Sequence, residues 1–387
     1  MRLIDAFVKG LSSLWLCVTL LVLLALLTWL GTLEQVHTGL FEVQKKYFES
    51  IFFIHHAGPV PIPLPGATLV MGVLFVNIIL GGIVRLRKRV ATLGVLTTHL
   101  GIAFLLVAGF IKAYHAEEGH LTLYEGQRSN VFESYHNWEI AVLEKLPDGQ
   151  LREVVAPELT FTDAEEGARV VLTSKDLPFS LEVTRYLSNS RVLPKGPMFE
   201  APLPVIDGFF LERQEKAKEN EQNVAGAYVA VLDPQGTGRN EAILWGAATQ
   251  PWTVEVGGKT FGVELRRSQY LLPFTLRMDD FIKEDHPRMT MAKSFSSDVT
   301  VFEGSTSRAT KIEMNEPLRS QGLVLYQSSW GPSNARPGDR LFSTLSVVRN
   351  PADQYPLWAC IVIAVGLLGH FLLKLFRHIR SEARGIA

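Results

Sequence analysis

Cysteine is scarce in this 387-residue chain: Cys17 and Cys360 are the only two, and both lie in hydrophobic stretches. That excludes a disulfide framework. No CxxC or CxxCH occurs, which excludes a thiol-exchange pair and a covalent c-type haem attachment site within the chain. Charge of one sign is lacking as well, since 38 Lys+Arg against 39 Asp+Glu leave a formal net charge of −1. With no Lys/Arg-rich tract of the kind that grips phosphate backbones, nucleic acid is excluded as a partner. No Ser-His-Asp order, zinc-type ligand spacing, P-loop or GxGxxG stands out, and there is no internal repeat or low-complexity tract.

What the chain has is apolar sequence, 47% of its residues, gathered at its two ends. Four stretches are about the length a helix needs to cross a ~30 Å hydrocarbon core. They are Leu11 to Gly31, Ala67 to Val84 after the Pro-rich "PVPIPLPG", Ala91 to Ile111, and Leu357 to Leu373. The first lacks a small-residue cleavage site and is expected to be a retained anchor. Arg2 and Lys9, the "RLRKR" of 85–89, and Lys374, Arg377, Arg380 and Arg384 all fall on one face of a four-span topology. Positive charge faces inward, so both termini are expected to be cytoplasmic and the segment between spans three and four external. That segment alternates apolar and polar residues between Gly, Pro, Asp and Asn turns, as in "FSLEVTRYL", "WTVEVGGKTFGVEL" and "GLVLYQSSW". The expected fold is therefore a membrane protein of four transmembrane α-helices, three N-terminal and one C-terminal, with a large extracytoplasmic, mainly antiparallel β domain. Its parts are residues 1–111, 112–356 and 357–387. The β domain is expected to be a single sandwich or open barrel, interrupted by a charged, helix-prone insertion at 211–228.

The ten histidines are the reactive inventory. His99 and His370 lie inside apolar spans, where an ionisable side chain is costly and usually functional. Counted from the flanking arginines, both fall ~10–15 Å into the membrane from the cytoplasmic side, at ~1.5 Å per residue. Asn77 of span two reaches a similar depth and is a candidate hydrogen-bond partner for a ring nitrogen. A neutral imidazole there suits axial ligation of haem iron or proton chemistry; the alternative is a histidine that only bonds a neighbouring helix. His37, His55 and His56 in the first external loop, and His115, His120 and His136 after span three, read as surface histidines; the alternative for the His55–His56 pair, beside a Pro-rich turn, is coordination of a metal or haem. His55 and His56 would point to opposite sides of a strand. Glu117 and Glu118 beside His115 and His120 only weakly resemble a metal cluster. His378 lies in the cytoplasmic tail.

The segment "IEMNEPLRSQGLVLYQSSW" (312–330) carries a resemblance. Met314, Asn315, Pro317, Leu318, Gly322, Tyr326, Gln327, Ser328 and Ser329 follow the order of the ResB (CcsB) family of cytochrome c biogenesis. "LPFTLRMDDF" (272–281), "GTLEQ" (31–35) and "LFVNIIL" (74–80) are similar to further family segments. The resemblance implies a System II role in the bacterial cytoplasmic membrane. A CcsA/ResC-type partner bearing the WWD motif, absent here, would act with this chain to export haem b as cargo and attach it to apocytochrome c. Thiol-reducing proteins of the same pathway are further possible partners. His99 is the position to which the family's membrane haem ligand carries over, with His370 as reserve ligand. The chain would then be a non-autonomous subunit of a synthase rather than an enzyme by itself. The alternative is a membrane-anchored scaffold or receptor whose β domain binds a protein partner without cofactor.

Overall fold

The computed structural model describes residues 2–196, 201–232, 239–286, 292–332, 336 and 339–385. The chain divides into two compact units, residues 1–116 with 350–387, and residues 117–349.

The first unit is helical. A short helix α1 (Arg2–Leu11) breaks at Ser12 and Ser13 and restarts as α2 (Leu14–Thr38). After Gly39, whose φ of 87° suits a residue without Cβ, come a helical turn α3 (Leu40–Val43) and a π-helical run Gln44–Glu49. A hairpin, β1 (Phe52–Ala57) with β2 (Val60–Pro65), returns the chain to α4 (Ala67–Asn77), which continues as a π-helical segment Ile78–Val84. α5 (Leu93–His115) and α6 (Tyr355–Gly385) complete the unit. Among the described residues, Leu14–Thr38, Ala67–Val84, Val90–His115 and Tyr355–Ala383 are long and apolar enough to cross a membrane, which makes the chain a multi-pass membrane protein. Their apolar side chains face outward, Trp15 at 82% and Leu368 at 63% exposure, as surfaces bathed in lipid do. The first helix starts later and runs further than the expected 11–31, because the Ser12–Ser13 break interrupts it and "TLEQVHT" sustains it.

α5 and α6 meet along small residues. A Cβ on Gly94 would come within 2.6 Å of the Gly366 carbonyl and the His370 nitrogen, and one on Gly101 within 3.0 Å of the Ile363 nitrogen. Gly366 in turn approaches the Thr98 nitrogen, at 2.6 Å from its virtual Cβ. Backbones packed this closely gain dispersion contacts that lipid cannot replace.

The second unit is antiparallel β, in a four-stranded and a ten-stranded sheet plus a small hairpin of Ser190–Pro194 with Phe209–Arg213. Two long strands, Arg128–Lys145 and Lys259–Asp285, pair along most of their lengths. They run through two separate hydrophobic cores rather than the single one expected. Trp138, Ile140, Phe261 and Val263 belong to one core, with Val183 and Val229; Phe132, Leu276 and Met278 belong to the other, with Val299, Leu325 and Leu345. The charged 211–228 stretch forms no α-helix; it ends one strand, makes a 3-10 turn at Asn220–Gln222 and enters Gly226–Leu232.

Candidate functional site

The membrane unit places its polar atoms around the π-helical segment of span two. π-Helical turns widen a helix locally and often occur at functional sites. Here the turn carries Gly81 and Gly82. A Cβ on Gly81 would lie 2.9 Å from the Ser12 carbonyl, at the α1–α2 break. A Cβ on Gly82 would lie 2.3 Å from His99 Cδ2, so the imidazole fills the space that this glycine leaves.

His99 is half-buried, and its Nδ1 lies 2.8 Å from the Val95 carbonyl oxygen one turn earlier. A carbonyl only accepts, so Nδ1 carries the proton and a neutral ring keeps its lone pair on Nε2. No hydrogen bond to Nε2 occurs among the described residues. Thr97 and Thr98 likewise donate to the Leu93 and Gly94 carbonyls, at 3.0 and 2.9 Å. The whole "TTH" triplet thus satisfies its donors inside its own helix, which removes much of the cost of placing it in hydrocarbon.

Asn77 is buried, but its amide does not serve an imidazole. Nδ2 donates to the Leu11 carbonyl at 2.6 Å and the Ser13 carbonyl at 3.0 Å. One amide hydrogen goes to the Leu11 carbonyl, which the α1–α2 break leaves without a helical partner, and the other shares the Ser13 carbonyl with the Cys17 N–H that opens α2. Arg85 reaches the same break through Ser12 Oγ. His370 does not share a face with His99. It lies on the α6 stripe against Gly94, whereas at ~100° per residue His99 sits ~100–160° around α5 from Gly94, Thr98 and Gly101. His370 Nδ1 is buried without a hydrogen-bond partner.

The first loop contains a network that composition alone did not reveal. Glu34, from "GTLEQ", accepts from Lys46 Nζ at 2.6 Å and from the Tyr47 hydroxyl, and the same hydroxyl lies 2.7 Å from His55 Nδ1. Burial and the adjacent carboxylate push the Tyr47 phenol well above its ordinary range. His55 faces inward and His56 outward, as alternation along a strand requires; His37 and His115 are exposed. His378 pairs with Glu382 at 3.3 Å.

In the second unit His120 stacks on Tyr135, ring centroids 5.3 Å apart, and His136 accepts from Asn220 at 3.0 Å. Burial holds both imidazoles below the usual histidine range. Glu117 is committed to Arg349 at 2.8 Å. Among the described residues no three His, Cys, Asp or Glu side chains assemble into a metal cage, so the weak cluster around His115 and His120 is not one.

The "MNEPL…YQSSW" segment has a specific geometry. Asn315 turns the chain at φ 70°, a left-handed conformation that asparagine tolerates, and Gln321 with Gly322 makes the next reversal. Gln327 then points into the unit, where its amide closes a ring with Ser297 and Ser343, both fully buried. The strand register slips between Gln327 and Ser329, which re-aims the serines and leaves Tyr326 exposed. Residues 243–339 match the model of the ResB-like family. The ResB-like match covers about a quarter of the chain, lies wholly in the second unit and includes the whole of this segment. It agrees with the resemblance read from the motif. A search of curated proteins finds no match to the chain.

Proposed function

We propose that this chain is a ResB-type subunit that handles haem in the membrane during cytochrome c biogenesis, the process to which the ResB-like match points at family level. The observation that carries the reading is His99. Its proton is committed to the Val95 carbonyl within a membrane-crossing helix, so a neutral ring offers the Nε2 lone pair as an axial donor. Haem is cargo here, not a resident group. The donor set fits it, because a tetrapyrrole supplies four nitrogens to its iron and asks the protein only for axial ones. His99 would hold one face and orient the iron; a WWD-bearing CcsA/ResC-type partner would supply the other face and the chemistry of attachment to apocytochrome c. In this reading both termini lie in the cytoplasm of a bacterium and the β unit lies outside. His370 remains the reserve donor.

The test is an absorption spectrum of the detergent-purified protein, alone and co-purified with the WWD partner. A Soret band of co-purified haem that falls sharply in His99→Ala and is kept in full in His370→Ala is the expected result. Absence of the band from both wild-type preparations would overturn the reading and favour a cofactor-free scaffold.

A further inference from the structure

The loop between α2 and α4 is organised around one buried phenol. Tyr47 is fully buried and packs on Phe53, ring centroids 4.5 Å apart. Its hydroxyl donates to Glu34 Oε2, while Lys46 Nζ holds Oε1 at 2.6 Å. A phenol has a single proton, and here it goes to the carboxylate. His55 Nδ1, 2.7 Å from the phenol oxygen, must therefore be the donor in that contact. A neutral His55 then carries its lone pair on Nε2, which has no hydrogen bond among the described residues.

This arrangement is selective. Asn223 donates to Asn220 Oδ1 and so orients that amide to donate to His136 Nδ1, which puts the His136 proton on Nε2. His120 and His370 leave Nδ1 buried and unbonded. Among the described residues, His99 and His55 are the histidines whose Nδ1 is tied down as a donor while Nε2 is left open.

The surroundings of His55 restrict what it would bind. It shares a face of the β1–β2 ribbon with Phe53, Leu64 and, directly opposite, Ile62; Ile62 and Val60 are exposed. With no cage of three ligating side chains among the described residues, an ion held by His55 has to bring its other donors with it. Iron in a tetrapyrrole does so, and an apolar rim suits the macrocycle.

We propose that His55 Nε2, clamped by Tyr47 and Glu34, is a second axial docking point for haem in this chain. The proposal rests on the haem-handling reading above. Thr68, at the start of span two, donates to the Phe48 carbonyl of the same loop, whereas His99 packs on Gly82 near that span's other end. At ~1.5 Å per residue the two nitrogens stand ~20 Å apart along the span, one to take haem up and one to receive it.

The test titrates the full-length protein in detergent with ferric haem. The His99→Ala variant should keep a Soret-absorbing population that disappears in His99→Ala/His55→Ala. Adding Tyr47→Phe, which preserves the ring packed on Phe53, or Glu34→Gln should weaken that population about ten-fold, the usual effect of removing a partner that orients a metal-bound histidine. His99→Ala/His55→Cys should move the residual band to the position of thiolate-ligated haem, a change that a purely structural histidine would not produce. If the double alanine variant binds as much haem as His99→Ala and the cysteine leaves the band unmoved, this proposal fails while membrane haem binding stands. If the wild type binds none, both fail together.

Discussion

Replacing Gly82 with alanine tests the His99 site without touching a donor atom. The added Cβ would stand 2.3 Å from His99 Cδ2, 2.7 Å from Cγ and 2.9 Å from Nε2, well inside contact distance. Two relaxations are open. Either span two moves away from α5, at the ~1–3 kcal/mol typical of overpacking, or the imidazole rotates and gives up its 2.8 Å bond to Val95, at ~0.5–1.5 kcal/mol. Alanine's better helix propensity returns up to ~1 kcal/mol. That return is the same whichever way the imidazole sits, so the ~0.5–3 kcal/mol of the two relaxations falls on the conformation that presents Nε2, and haem affinity should drop by about two- to a hundred-fold, at ~1.4 kcal/mol per decade. Gly72→Ala and Gly109→Ala are the controls, since a Cβ at either position meets nothing within 4 Å. The measurement is a haem titration followed at the Soret band, with thermal melts of each variant in the same detergent. Wild-type affinity in Gly82→Ala would refute the claim that this glycine seats the imidazole.

Other consequences follow from single contacts. Gly94→Val should separate α5 from α6 and lower the melting temperature more than Gly82→Ala, because the atoms it meets are backbone and cannot rotate away. Asn77→Leu leaves the Leu11 carbonyl unbonded and the Ser13 carbonyl with the Cys17 N–H alone, and should cost ~1–3 kcal/mol, read as a lower melting temperature and faster proteolysis near the α1–α2 break; an unchanged melt would show that the clamp is dispensable. The β unit should lose stability in mild acid. His120 and His136 titrate below the ordinary histidine value of 6.5 when folded, so the unfolded chain binds more protons there. Their contribution is complete above about pH 6.5 and lost as pH falls through the depressed folded values, and His120→Gln/His136→Gln should flatten the melting temperature between pH 7 and 5.

The four spans were legible because hydrocarbon imposes a length and a composition that nothing else in the chain imitates. The β character of the second unit was legible from its alternation. The division into two cores was not, because a strand of 18 residues and one of 27 carry the same period-two pattern whichever core they pass through. His99 was conspicuous as a polar residue in an apolar run, but its tautomer depends on a backbone oxygen that every helix possesses and no sequence marks. Asn77 misled for the opposite reason: it was expected level with His99, but the imidazole packs on Gly82 and the partners of Asn77 come from a helix break that only the Ser12–Ser13 pair hints at. Tyr47 was missed altogether. "KKYFE" is unremarkable until the loop folds back and sets its phenol between Glu34 and His55.

The two long strands bear on how the protein is made. Arg128–Lys145 pairs with Lys259–Asp285, and the ion pair of Glu117 with Arg349 spans 232 residues of sequence. Contacts so distant along the chain fold slowly, because loop-closure entropy must be overcome before any pairing rewards it. The strand Phe342–Arg349 is the last made, yet it covers Glu117–Tyr124, among the first. Until synthesis reaches it, that early strand is an open edge able to recruit a neighbouring chain. A nascent molecule is thus at its most vulnerable to aggregation just before its final span is complete, when a holding chaperone would matter most to yield.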